Sequence, residues 1–165
     1  MALYEWEDRY KVGNDFIDFD HKKLFRMIEF YNTASARNTA QYELEAILDS
    51  LAKYAKEHFK REEDEMLRLD ANGFLLHKLE HKKFLVQIVE WKELHARGEF
   101  TFSISVSRFL NGWLKNHILK TDQLLADAIR TSNPQAPTDT ARGEAQAELN
   151  PEIKQAPRMS LKKSQ

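Results

Sequence analysis

All four prolines of this chain lie beyond residue 133, and four of its five glycines are scattered singly before that point, at 13, 73, 98 and 112. In a helix interior proline costs about 3 kcal/mol and glycine about 1 kcal/mol relative to alanine. A stretch of this length with so few breakers is therefore predicted to be mostly helical. Within it, apolar residues recur at spacings of three and four, the pattern of helices that each bury one face.

Four helices follow from that pattern. The first spans about 19–36, with Asp18 as its expected N-cap and Leu24, Met27, Ile28 and Tyr31 on its apolar face. The second spans about 40–69, along a stripe of Leu44, Ile47, Leu48, Leu51, Tyr54, Ala55 and His58, and ends at Asn72-Gly73. The third spans about 74–97, with Phe84, Ile88, Trp91 and Leu94 inward and Gly98 as its stop. The fourth spans about 103–131, through Val106, Phe109, Leu110, Trp113, Leu114, Ile118, Leu125 and Ile129. Gly112 lies inside it, which suggests a close helix approach. Short connections favour antiparallel neighbours, so the expected fold is all-α, an up-down-up-down antiparallel four-helix bundle. Residues 1–17 are expected to form an N-terminal arm anchored by Tyr4, Trp6, Tyr10 and Phe16.

From Ser132 the composition shifts to Pro, Ala, Gln and Ser with few large apolar residues. The expected division is a bundle domain over 1–131 and a low-complexity tail over 132–165. The tail reads as disordered, with a short helix around 140–149, and as the one place for an unidentified protein partner to dock.

Several function classes are excluded on composition. A formal net charge of −1 leaves no electrostatic footprint for nucleic acid. The chain has no cysteine, which removes disulfides, thiolate zinc sites and cysteine-held iron–sulfur clusters. No run approaches the roughly 18 apolar residues of a membrane span. The charged N-terminus has no signal-peptide core, so a cytoplasmic location is expected.

Five of the six histidines, with two carboxylates, form a pattern: His21; His58 with Glu62; His77 with His81; His117 with Asp122. Imidazole and carboxylate together ligate iron, zinc and manganese. Residues four apart project from one helix face, so His58–Glu62 and His77–His81 each form a pair. His117 and Asp122 are five apart and fall out of register on a regular helix, so a local irregularity such as a π-bulge is expected there. In an antiparallel bundle, His21 and His77 near two helix starts lie level with His58 and His117, well along the other two helices. A single histidine is more often a surface or core residue than a ligand. Five at one level on four helices, with two acids, are not explained that way. His95 falls at the other end and is expected on the surface, and Glu57, Glu63, Asp64 and Glu65 are expected to form a solvated face.

This order of ligands, carried by IDFDHKKLF at 17–25, HFKREEDEM at 58–66, HKLEH at 77–81 and WLKNHILKTD at 113–122, resembles the hemerythrin family and its single-domain bacterial members. The resemblance implies reversible dioxygen binding at two iron ions joined by an oxo or hydroxo bridge. His77, His81 and His117 would hold one iron, His21 and His58 the other, and Glu62 and Asp122 would bridge them. The family's apolar oxygen pocket would fall on Leu24, Phe59, Trp113, Leu114 and Ile118, although core packing alone accounts for those residue types. For two six-coordinate irons, this ligand set leaves one position open, on the ion with two histidines.

Four rival readings remain. A di-iron oxidase, peroxidase or nitric oxide-handling enzyme could use the same scaffold, although no Tyr, Lys or Asp stands out as a proton donor. A sensor would need the tail as its output. Iron storage would need assembly signals that are absent. HKLEH also fits a zinc-protease pattern with Glu80 as base, but this leaves His21, His58, His117 and Asp122 unexplained.

Overall fold

The computed structural model describes residues 6–133, and the expected tail structure and Tyr4 lie outside them. The described residues are helical: a 3-10 turn at Asp8–Tyr10, then α1 (Asp15–Ala36), α2 (Gln41–Arg68), α3 (Phe74–Ala96), α4 (Ile104–Asn116), a π-helical turn (His117–Thr121) and α5 (Gln123–Ser132). The α4–π–α5 run is one continuous rod, so the architecture is the expected antiparallel four-helix bundle. Antiparallel pairing is visible in the side chains. Near the start of α1, Asn14 and Asp20 contact Glu65 and Arg61 near the end of α2. Late in α3, Lys92 pairs with Asp49 early in α2. Among the described residues, no helix is long and apolar enough to cross a membrane.

The three reversals are built alike. Asn38, Asp70 and Gly98 each take a left-handed backbone conformation just past a helix end. In each, two reversed hydrogen bonds close the last turn: Asn38 and Thr39 to Ser35 and Ala34, Asp70 and Ala71 to Leu67 and Met66, Gly98 and Glu99 to His95 and Leu94. This is the Schellman arrangement, which satisfies carbonyls that a helix end leaves open. The reversal after α2 therefore falls at Asp70, ahead of the expected Asn72-Gly73. Gly73, with φ +79°, instead leads into α3.

The start of α1 also differs from expectation. Asn14 caps it, accepting from the backbone N–H of Phe16 and Ile17, so the helix begins four residues before Phe19. Asp18 sits inside the first turn and reaches back to accept from the N–H groups of Val12 (2.7 Å) and Gly13 (3.3 Å). It ties the arm down instead of capping the helix. Trp6 and Tyr10 pack on Phe25 as arm anchors. Phe16 lies on the outer side of α1, 81% exposed, and anchors nothing.

The main core runs along the bundle axis through Leu24, Ile28, Tyr31, Leu44, Leu48, Leu51, Phe84, Ile88, Val106, Leu110 and Ile118. Aromatic contacts of Phe84 with Phe109 and Trp113, and of Trp91 with Phe109, hold α3 against α4. A Cβ at Gly112 would meet nothing within 4 Å, so this glycine does not mark a close helix approach. A smaller cluster of Val12, Ile17, Met66, Leu125 and Ala126 closes the end where α1 begins. Between the two cores lies a polar layer.

Candidate metal centre

That layer consists of the seven side chains picked out by spacing. His21, His58, Glu62, His77, His81, His117 and Asp122 are all buried, none more than 4% exposed. All four rods contribute. On α2 and α3 the paired residues stack one turn apart. On the fourth rod the π turn does the equivalent work. The N–H of Asp122 bonds to the carbonyl of His117, five residues back, at 3.0 Å. The wider turn brings the two side chains onto one face, with His117 Nε2 3.0 Å from Asp122 Oδ1. The irregularity expected from the five-residue spacing is therefore present.

Each carboxylate divides its oxygens between two sets of histidines. Glu62 Oε1 lies 3.1 Å from His21 Nε2 and 3.2 Å from His58 Nε2. Its Oε2 lies 3.1 Å from His81 Nε2 and 3.4 Å from His77 Nε2. Asp122 Oδ2 faces His21 Nε2 at 3.3 Å, while its Oδ1 faces His77 at 3.3 Å and His117 at 3.0 Å. One set is therefore His21 and His58, the other His77, His81 and His117, and both acids span the gap between them. All five imidazoles present Nε2 to the centre. The donor atoms of Glu62, His77, His81 and His117 lie within 4.8 Å of one another, as do those of His21, His58 and Glu62.

The donor set fits metal ions better than it satisfies itself. His81 Nε2 and His117 Nε2 are 2.9 Å apart, and among the described residues neither oxygen of buried Asp122 has a hydrogen-bond partner. Among the described residues, the charged contacts of Glu62 and Asp122 are all to histidine. Two buried carboxylates facing imidazole lone pairs call for cations.

The two acids also act on the protonation of the imidazoles. Burial works against a charged His21, but the Asp122 and Glu62 carboxylates outweigh it and push the imidazole up to about 10. His58 and His77 are also raised despite burial, mainly by Glu62 and, for His58, by Asp20 as well. Burial lowers His81. It pushes both acids upward, yet the surrounding histidines hold Glu62 and Asp122 below the ordinary carboxylate range.

Outside this set, the imidazoles are backed unevenly. Asp20 Oδ2 lies 3.5 Å from His58 Nδ1, and Glu63 Oε1 lies 3.1 Å from His81 Nδ1. Among the described residues, the Nδ1 atoms of His21 and His77 have no hydrogen-bond partner. Phe59 stacks on His81 with centroids 3.9 Å apart, and Trp113 stacks on His117 at 4.4 Å. Leu24, Phe59, Leu114 and Ile118 are buried in the adjoining core, and Trp113 is half-buried against it.

Three sequence expectations change here. Glu63 is not part of a solvated face, because its carboxylate turns inward to His81. His95 is half-buried, with Nδ1 2.8 Å from the Phe100 carbonyl and its ring against Phe102, so it supports a loop at the far end. Glu80 pairs with Lys83 at the surface, which removes it as the base of a zinc-protease motif. Asp20 escaped sequence reasoning. Its signal was position: an acid on the Ile17–Leu24–Ile28 stripe of α1, where an apolar residue belongs.

Residues 12–129 match the family described as hemerythrin HHE cation binding domain. The chain is 34% identical over 131 residues to a bacteriohemerythrin of Methylococcus capsulatus, covering 78% of this chain and 98% of that protein. It is 28% identical over 130 residues to a bacteriohemerythrin of Stenotrophomonas maltophilia, covering 79% and 84% respectively. Among solved structures, wild-type hemerythrin aligns with a TM-score of 0.72 at 30% identity, covering 77% of this chain and 98% of that one.

The bridging geometry makes Glu62 and Asp122 the residues to remove. Glu62→Ala or Asp122→Ala should keep the helical signal but lose the wild-type metal stoichiometry, since each acid reaches both histidine sets. Elemental analysis checks this, and an unchanged metal content would refute the bridging geometry. Metal loading at pH 7 should also release protons, because the acids push His21 up to about 10 and ligation requires a bare Nε2. A pH indicator in weakly buffered solution reads that release.

Proposed function

This chain belongs to the hemerythrin family, and on that footing we propose that it binds dioxygen reversibly at two iron ions. The observation that carries this reading is the division of each carboxylate's oxygens between a two-histidine and a three-histidine set. One ion alone would not need an acid that faces both ways. His77, His81 and His117 would hold one iron, His21 and His58 the other. Glu62 and Asp122 would join them, together with an oxo or hydroxo bridge. Bound iron would supply the reversible electron transfer to dioxygen that no side chain here can provide.

The protein's part is to position ligands and exclude water. Leu24 lies one turn after His21, and Leu114 one turn before His117, so both border the layer from the core side. With Phe59, Trp113 and Ile118 they would make an apolar oxygen pocket. Dry walls of this kind exclude the water and external protons that make oxidation irreversible. The same residues favour a carrier, store or sensor over an oxidase, because none of them can donate a proton except the Trp113 indole. Tyr54 and Asp20 do approach the site, but on the Nδ1 side of His58, behind the ligand. Two anionic ligands against five neutral ones also make a centre less able to stabilise high-valent iron than the carboxylate-rich sites of di-iron oxidases. The family match ends at residue 129, which supports placing this function in residues 1–131 and none of it in 132–165.

Optical titration of the iron-loaded, reduced protein tests the reading. Oxygen should generate charge-transfer absorption that disappears under argon over repeated cycles. Irreversible conversion with release of peroxide or water would overturn the carrier reading in favour of an oxidase. In a second test, Leu114→Ala should speed loss of the oxygenated spectrum in air several-fold by admitting water. An unchanged decay rate would remove Leu114 from the pocket.

A further inference from the structure

We propose that Asp20 is the positioning residue of His58, and that Tyr54 and Arg61 hold its carboxylate in place to act on the two-histidine iron position. This rests on the di-iron reading above. Asp20 is 5% exposed, on the core-facing stripe of α1. A carboxylate there is costly unless its oxygens are engaged. Arg61 Nε donates to Oδ2 at 2.6 Å, and the Tyr54 hydroxyl donates to Oδ1. Both donors belong to α2, at three and four residues on either side of His58. The acid arrives from α1, the helix that also carries His21. The network thus ties together the two helices that supply this pair of histidines.

The contact to His58 is incomplete as it stands. At 3.5 Å, Oδ2 is close enough to feel the imidazole but does not close a good hydrogen bond with Nδ1. A ligated imidazole must carry its proton on the nitrogen away from the metal, and a carboxylate behind it fixes that tautomer and strengthens the ligand. Asp20 is placed to do this for His58, as Glu63 is for His81. Each histidine set therefore has one acid-backed member. The two acids differ in setting. Glu63 is shared with Lys78 near the surface. Asp20 is buried, and its supports lead outward: Arg61 is 41% exposed, and Lys23 Nζ lies 3.9 Å over the Tyr54 ring. A stronger His58 donor favours ferric over ferrous iron and lowers the reduction potential of that ion.

A purely structural Asp20 would matter only as an ion pair between α1 and α2. Variants of the full chain separate the two roles through three readouts: iron per chain, the midpoint potential of the iron centre, and ferrous iron release to bipyridine. Asp20→Asn keeps the size and an acceptor but removes the charge. It should retain both irons and raise the midpoint potential. Asp20→Ala should release one of the two irons about 10- to 100-fold faster, leaving the other release phase at its wild-type rate. Glu63→Gln should act on that other phase. A wild-type potential and wild-type release in both Asp20 variants would overturn the proposal, as would Asp20 and Glu63 variants that accelerate the same phase. If the Asp20 variants do not fold, Tyr54→Phe decides: a shifted potential upholds the role and a wild-type potential overturns it. Wild-type protein that takes up fewer than two irons would instead sink the di-iron reading beneath it.

Discussion

Two carboxylates buried among five imidazoles constrain everything else in this bundle. An ion taken out of water costs several kcal/mol even after the protein relaxes. Glu62 and Asp122 are both fully buried, at the level where all four rods cross. Each therefore needs imidazoles from several helices, and the helices must run antiparallel to bring them to one level. The apolar core beyond the layer supplies the counterweight. Leu44, Leu48, Leu51, Ile88, Val106 and Leu110 are essentially dry, and a truncation of one such residue typically costs about 2–5 kcal/mol. The long apolar half holds the rods together, and the short polar level lies near one end.

The π turn shows how the sequence and the site depend on each other. A regular helix would send His117 and Asp122 to different sides. The turn at His117–Thr121 costs the fourth rod its regular hydrogen-bond ladder and returns an acid that reaches both histidine sets. That sacrifice was legible because residues five apart on an otherwise periodic helix share a face only where the helix widens locally. The convergence of the seven side chains and the helix order were legible for similar reasons: periodicity and spacing are properties of one helix at a time, and the level argument needs only helix length. What sequence reading missed involves contacts between helices. Asp20 and Arg61 meet across α1 and α2, Glu63 meets His81 across α2 and α3, and nothing in either local pattern names the partner. Asn14 and Asp18 can each cap a helix by residue type. The choice depended on the arm, whose N–H groups at Val12 and Gly13 occupy Asp18. Phe16 looked like an anchor by type alone, and α1 turns it outward.

Protons and metal ions compete for the same places in this centre, with opposite demands on pH. In the metal-free protein, His21 has its pKa raised to about 10 by the acids beside it. A raised histidine stabilises the fold fully below its ordinary value of about 6.5, and that contribution is lost as pH climbs toward 10. Glu62 and Asp122 are shifted the other way. Their contribution is present above the ordinary carboxylate range, about pH 4, and is lost as pH falls below it. The two contributions overlap fully only in mild acid, between about 4 and 6.5. Ligation requires the reverse, bare Nε2 atoms on all five histidines, so rising pH that loosens the proton-held centre is what readies it for metal. Protons and cations thus answer to the same two acids, whose oxygens already face both histidine sets.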